Sequence, residues 1–300
     1  MKSHDFGQFL FNSSIFNELQ LSRLITVARK SKPTLAAKAL FLRLVSAKEL
    51  DDAFMDAPFE MSEIITRKDF FSSEYVYNER FYKICDDIVR GILNARQIGK
   101  TNQLEDSQSL WIIQELLDSC VMNFIRLENV LDEYYRLEIP PIVQACSAYY
   151  DVLNGTQNTD YSFALDVIQT VHSFLSESLG TTIIILPPTE IKEKSWFGAS
   201  VKIVGSMPVV VGILADEKTF LKLAKRYERF VETLEDSFDG VAELLNVFTG
   251  QFTVKIASSL GVEEEPEPPR YGQILKNIPT IRMLADFGNF YLYVDQEEIF

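Results

Sequence analysis

The polar segment NGTQNTD at Asn154–Asp160 separates two stretches of different apolar rhythm, and that change limits the folds open to this 300-residue chain. An Asn-Gly step among turn-forming residues reads as a linker. Before it, apolar residues recur at helical spacing: Phe6, Phe9, Leu10 and Phe16 open one pattern, and Leu19 through Val27 continues it. Lys30–Pro33 reads as a break and Ala36–Val45 as a short helix. Ser46 is placed to N-cap a helix over Ala47–Phe54. Phe70–Leu93 and Ser109–Tyr135 are longer amphipathic segments. Pro140–Pro141 starts a last helix that runs to Leu153, since proline is tolerated in a first turn. After the linker the rhythm alternates. A helix over Phe163–Leu179 stops at Gly180. β-branched strands follow at Thr181–Leu186, Ser200–Val204, Val209–Leu214, Thr280–Ala285 and Phe290–Val294. Gly205–Pro208 reads as a hairpin turn, Glu217–Tyr227 and Val231–Leu260 as helices, and Glu263–Pro269 (EEEPEPP) as a solvated acidic loop. The expected architecture is an all-α regulatory or docking domain over residues 1–155, then an α+β domain over 160–300. In the second domain a mostly antiparallel sheet carries long helices on one face.

Composition excludes several kinds of chemistry. The net charge is −14, and the first third of the chain is near neutral, so the excess acid lies behind it. Nucleic acid and anionic membrane surfaces are therefore not expected partners, because phosphate contacts need clustered Lys and Arg. No apolar run approaches the ~18 residues of a membrane span, and the opening MKSHDFGQFL lacks an apolar leader, so a cytoplasmic location is expected. Cys85, Cys120 and Cys146 have neither disulfide nor metal spacing. The only histidines are His4 and His172, and neither has a recognisable catalytic partner.

The informative helix is DSFDGVAELLNVFTGQFTVKIASSLG, Asp236–Gly261. At 100° per residue, Leu234, Phe238, Val241, Leu245, Phe248, Phe252 and Ile256 fall within an arc of about 80°, the stripe expected to be buried. Asp239, Glu243, Asn246 and Gly250 cluster within about 60° on the opposite side. Asn is a mediocre helix former and Gly costs ~1 kcal/mol against Ala inside a helix, so a merely solvated face would more cheaply carry Lys, Glu or Ala. Glu243 and Asn246 are i, i+3 neighbours and can reach one target together. Gly250, one turn further on, leaves the helix surface bare for a partner's approach.

The pattern D-x₃-E-x₂-N-x₃-G resembles the signature helix of the CheC/CheX/FliY phosphatases of bacterial chemotaxis, over about residues 160–300. The helix Asp166–Gly180 lacks a second Glu/Asn pair, and a single signature per domain is similar to CheX, a family in which dimers form. The resemblance implies a protein that docks on a phosphorylated CheY-like receiver and speeds loss of its aspartyl phosphate. Asn246 would hold a water for in-line attack, and Glu243 would pair with the receiver's active-site Lys. Asp239 and Gly250 would belong to the partner-binding face. The Mg²⁺ would be the receiver's, with no cofactor bound by this chain. A homodimer is implied as well. The alternative is a non-catalytic receiver-binding module like those of flagellar switch proteins.

In the front domain, FGQFLFNSSIFNELQLSRLITVAR and LAAKALFLRLVSAKELDDAF each read as helix, turn, helix. They faintly resemble the paired helical modules at the N-terminus of type II secretion ATPases, some of which bind cyclic-di-GMP. Asp5 and Phe6 stand where that class has Arg and Leu, and Ser13 or Ser14 where it has the turn glycine. Nucleotide binding is therefore not carried over, and a packing or protein-binding module is expected.

Overall fold

The computed structural model describes residues 6–29, 31–56, 79–104, 107–119, 121–153, 161–187, 189–190, 196–274 and 278–300. The linker 154–160, residues 70–78 of the expected Phe70–Leu93 segment, His4, Asp5 and Cys120 lie outside the described residues. The chain divides into two compact units, Met1–Phe9 with Asn17–Glu138, and Leu10–Phe16 with Ile139–Phe300.

The first unit is built from α1 (Phe6–Asn12), α2 (Glu18–Ala28), α3 (Leu35–Phe41), α4 (Ala47–Asp56), α5 (Glu79–Ile92), α6 (Ala95–Gln103), α7 (Gln108–Asp118) and α8 (Phe124–Tyr135), α1 crossing the division. The helix–turn–helix modules follow from local chemistry. Asn17 caps α2 and exchanges bonds with Gln20, while Ser46 and Glu49 do the same for α4. The turns before these caps put Ser14 and Arg43 in the left-handed region, at φ 55° and 54°. Asn94 with Gln97 repeats the box at α6. The segment 109–135, expected as one helix, is two: Ser119 closes α7 and Asn123 caps α8, its side chain accepting from the Arg126 amide. A side chain that bonds nearby backbone favours a restart over continuation. The short helix expected to reach Val45 ends at Phe41, and α6 was not anticipated.

The second unit holds α9 (Pro141–Leu153) and α10 (Tyr161–Ser178), then β1 (Ile184–Ile185), β2 (Thr189–Glu190), β3 (Trp196–Gly205), β4 (Val209–Asp216), α11 (Glu217–Tyr227), α12 (Leu234–Leu260), β5 (Glu264–Pro266), β6 (Arg270–Ile274), β7 (Pro279–Ala285) and β8 (Gly288–Asp295). It is an α+β fold. The strands run in the order β1-β7-β8-β4-β3-β5, with β2 also on β7 and β6 also on β3, and these pairings are antiparallel. The EEEPEPP segment is not wholly loop: β5 pairs with Ile203–Gly205 while β6 pairs with Trp196–Ser200, so two short strands lie end to end along β3. Glu264 is buried there and its carboxylate accepts from the Met207 amide. The strand expected over 181–186 is reduced to Ile184–Ile185, because Thr181 and Gly180 close α10 by bonding Ser176 O and Glu177 O.

Alternation sorts the sheet into two faces. Ala199, Val201, Ile203, Val211, Ile213, Met283, Phe290 and Leu292 share one core with α10, α11 and α12. Val210, Leu214, Ile274 and Tyr293 point to the other face, where Ile299 and Phe300 cover them. A Cβ on Gly212 would meet Ile299 Cδ1 at 2.5 Å, so the glycine makes room for this strap. Glu298 holds the strap down, accepting from Lys202 Nζ at 2.8 Å and from Arg270. Hydrogen bonding from Lys202, with Arg270 adding, sets the Glu298 carboxyl below its ordinary value, and Glu298 raises Lys202. A carboxyl lowered in the folded state contributes stability above its unfolded pKa and loses it as pH falls through the folded value. A raised lysine loses its contribution as pH rises through its own. Amide-exchange protection in residues 296–300, taken relative to the intrinsic rate at each pH, is thus expected to fall on the acid side, with a Glu298→Gln variant lacking that acid limb. A variant that keeps the limb would contradict the assignment.

Candidate functional site

Helix α12 begins on a capping box: Thr233 Oγ1 accepts from the Asp236 amide at 3.1 Å and Asp236 accepts from the Thr233 amide at 2.8 Å. Those backbone bonds hold the Asp236 carboxyl below its usual range. Glu235 and Asp236 sit where the helix dipole favours acid, and Gly261 closes the other end in the left-handed region at φ 67°. Between these ends the helix is seated by Val241, Leu244, Leu245, Phe248, Phe252 and Ile256, all buried. Phe248 stacks on Phe252 and meets Phe174, and Phe252 meets Phe163 of α10. Leu234 and Phe238, expected in the buried stripe, are half-buried. Phe238 packs between Phe220 and Tyr271.

So seated, the helix turns its polar side outward. Asp239, Glu243 and Asn246 are exposed and Gly250 is half-exposed. Asn246 Nδ2 lies 3.5 Å from Glu243 Oε2. That is long for a hydrogen bond, so the two side chains adjoin without being locked, and the amide is free to turn to a third group. A Cβ built on Gly250 finds no atom within 4 Å. By contrast, Gly240 lies where α11 and the following loop press on α12: its Cβ would meet Glu228, Ala224 and Val231 at 3.4–3.5 Å. The same approach brings the half-buried Tyr227 near the pair. Burial first, and then the Glu243 carboxylate, raises its phenol above the ordinary value.

Other candidates resolve into structure. His172 is buried and its Nε2 lies 2.8 Å from Ile183 O. Cys85 and Cys146 are buried, and burial pushes the Cys85 thiol up, which suppresses the thiolate. Of the basic residues on α11, Arg226 pairs with Asp286 at 2.6 Å and Lys222 donates to Phe287 O. Among the described residues no helix is long and apolar enough to cross a membrane. Tyr227, near Glu243, and Phe230, exposed in the loop before α12, were not singled out from sequence. The available signal was an aromatic pair in the otherwise charged run KRYERF.

The fold and site together define an α+β domain with an acid–amide pair presented on its longest helix. Solved structures of chemotaxis proteins are similar to part of the chain. CheX of Desulfovibrio desulfuricans covers 44% of the chain and 96% of its own length, at 18% identity and a TM-score of 0.35. A chain of the CheX–CheY–BeF3–Mg²⁺ complex from Borrelia burgdorferi covers 46% and 98%, at 20% identity and 0.35. FliY of Thermotoga maritima covers 44% and 85%, at 17% identity and 0.32. No protein-family model and no curated protein matches the chain.

Proposed function

We propose that the chain is a cytoplasmic phosphatase that accelerates hydrolysis of the aspartyl phosphate on a CheY-like receiver domain. The observation that carries the reading is the exposed Glu243–Asn246 pair at 3.5 Å beside the bare surface at Gly250, in the D-x₃-E-x₂-N-x₃-G spacing. In this reaction water attacks phosphorus, the bond to the aspartyl oxygen breaks, and inorganic phosphate and a free carboxylate result. The requirement is placement of the water in line and neutralisation of charge. Asn246, a neutral amide, orients the water without repelling the phosphoryl group. Glu243 pairs with the receiver's active-site Lys, and Asp239 extends the acidic docking face. The Mg²⁺ is the receiver's. The resemblance also implies a homodimer, which the solution mass of the full chain tests.

The deciding experiment is phosphate release from a panel of phosphorylated CheY-type receivers with and without the chain. Acceleration with at least one receiver is expected. A Glu243→Ala variant is expected to raise KM about tenfold or more while keeping most of kcat, since it removes a charge partner made on docking. If Glu243→Ala leaves KM unchanged, its role is wrong. Binding of a receiver without turnover would support the interaction-module reading instead.

A further inference from the structure

Phe230 is 88% exposed and Val254 is 69% exposed, the two most exposed large apolar side chains among the described residues. They belong to one continuous stretch, the loop that leads into α12 and α12 itself. Val254 lies on α12 about 20° from Glu243 around the helix axis, hence on the same outward face. Phe230 sits in the loop between α11 and α12. Its neighbour Val231 approaches within 3.5 Å of the Cβ position of Gly240, one turn before Glu243. At 1.5 Å per residue, the level of Gly240 and that of Val254 are about 21 Å apart. Glu243, Asn246 and Gly250 lie between them.

Scattered single apolar residues on a surface need no explanation. Two this exposed do, when one stands on the outward face of α12 and the other in the loop that packs near its Gly240 turn, because a partner reaching from one to the other passes the level of the pair. A specific interface of about 800 Å² per partner is wide enough to span them. The surrounding charge is of both signs. Asp239 and Glu243 are exposed on α12, and Lys225 and Arg229 are exposed at the end of α11 beside Phe230. A phosphorylated receiver presents a matching mixture: a phosphoryl group with carboxylates, and a lysine.

We propose that Phe230 and Val254 are the two apolar anchors by which the chain seats a phosphorylated receiver over Glu243 and Asn246. This rests on the function proposed above and assigns the residues that set its affinity. They touch the partner's surface away from the reacting atoms, so their energy is the same before and during reaction, and it enters KM rather than kcat.

The test uses the full chain carrying Phe230→Ser, Val254→Ser and both. It measures phosphate release from the receivers the wild type acts on, and titration with the same receivers loaded with beryllofluoride and Mg²⁺. Each single variant is expected to raise KM and Kd about tenfold and the double about a hundredfold, with kcat within about twofold of wild type. Both side chains are solvent-exposed, so Tm is expected to hold. Unchanged KM and Kd in the double variant would overturn the anchors while leaving the phosphatase reading intact. Wild-type binding without turnover overturns the phosphatase reading, and the titration alone then decides the anchors. A wild type that neither binds nor dephosphorylates any receiver overturns both. Loss of self-association in light scattering, with Kd for the receiver unchanged, would assign the surface to a second copy of the chain and overturn the proposal.

Discussion

An Asn246→Ala variant is expected to lose nearly all acceleration of receiver dephosphorylation, a fall of about 100-fold or more in kcat, with no loss of thermal stability. The two halves of this expectation have separate causes. Asn246 is exposed and its side chain approaches Glu243 only at 3.5 Å, so its removal leaves no cavity and no buried polar group unsatisfied. Alanine is the better helix former by up to ~0.7 kcal/mol, which moves Tm slightly upward if at all. The chemistry, in contrast, loses the group that holds the attacking water. Asn246→Asp sharpens the test. It keeps the size and one oxygen of the side chain but sets a negative charge against the phosphoryl group, and it is expected to be as poor as alanine. Phosphate release at saturating receiver measures both variants. Wild-type rates in either would remove Asn246 from the mechanism.

A Gly250→Ala variant is expected to be more stable than wild type and a poorer phosphatase. A Cβ at this position meets nothing within 4 Å, so the substitution is free of clash and recovers the ~1 kcal/mol that glycine costs inside a helix. A chain selected only for stability would carry alanine here. If a receiver packs directly on the helix backbone at this point, even a methyl group intrudes. Gly250→Leu should intrude more, raising KM about tenfold or more, as overpacked contacts do. Calorimetry and the KM for receiver read the two effects independently. A Gly250→Leu variant with unchanged KM would show that the bare surface lies outside the docking area.

The core of the second domain was legible because its elements obey simple periodicities. Glu217–Tyr227 is helical to the residue as expected, and Val241, Leu245, Phe248, Phe252 and Ile256 of the α12 stripe are buried as the wheel placed them. The outward placement of Glu243 and Asn246 follows from the same wheel, since burying one side of a helix exposes the other. What was not legible depends on partners distant in sequence. EEEPEPP is acidic and proline-rich, and its local signals say loop; only the bare edge of β3 recruits Glu264–Pro266 into the sheet. β6 likewise exists because Trp196–Ser200 supplies its ladder. The break between α7 and α8 was missed for a local reason, because an apolar rhythm that resumes in phase hides the Asn123 cap. Phe230 and Val254 escaped because exposed apolar residues break the pattern by which a wheel is read.

The division of the β3 margin between β5 and β6 has a consequence for how the molecule avoids sticking to itself. A ten-residue strand at the rim of a sheet would offer a long template for cross-molecule zippering. Here the rim is occupied by three- and five-residue strands. Pro266, Pro268 and Pro269 lack amide protons, and Glu263, Glu265, Glu267 and Arg270 carry charge along the same stretch. Proline and charge both discourage a further strand from annealing. The segment that looks most like filler is therefore expected to act as a gatekeeper against aggregation.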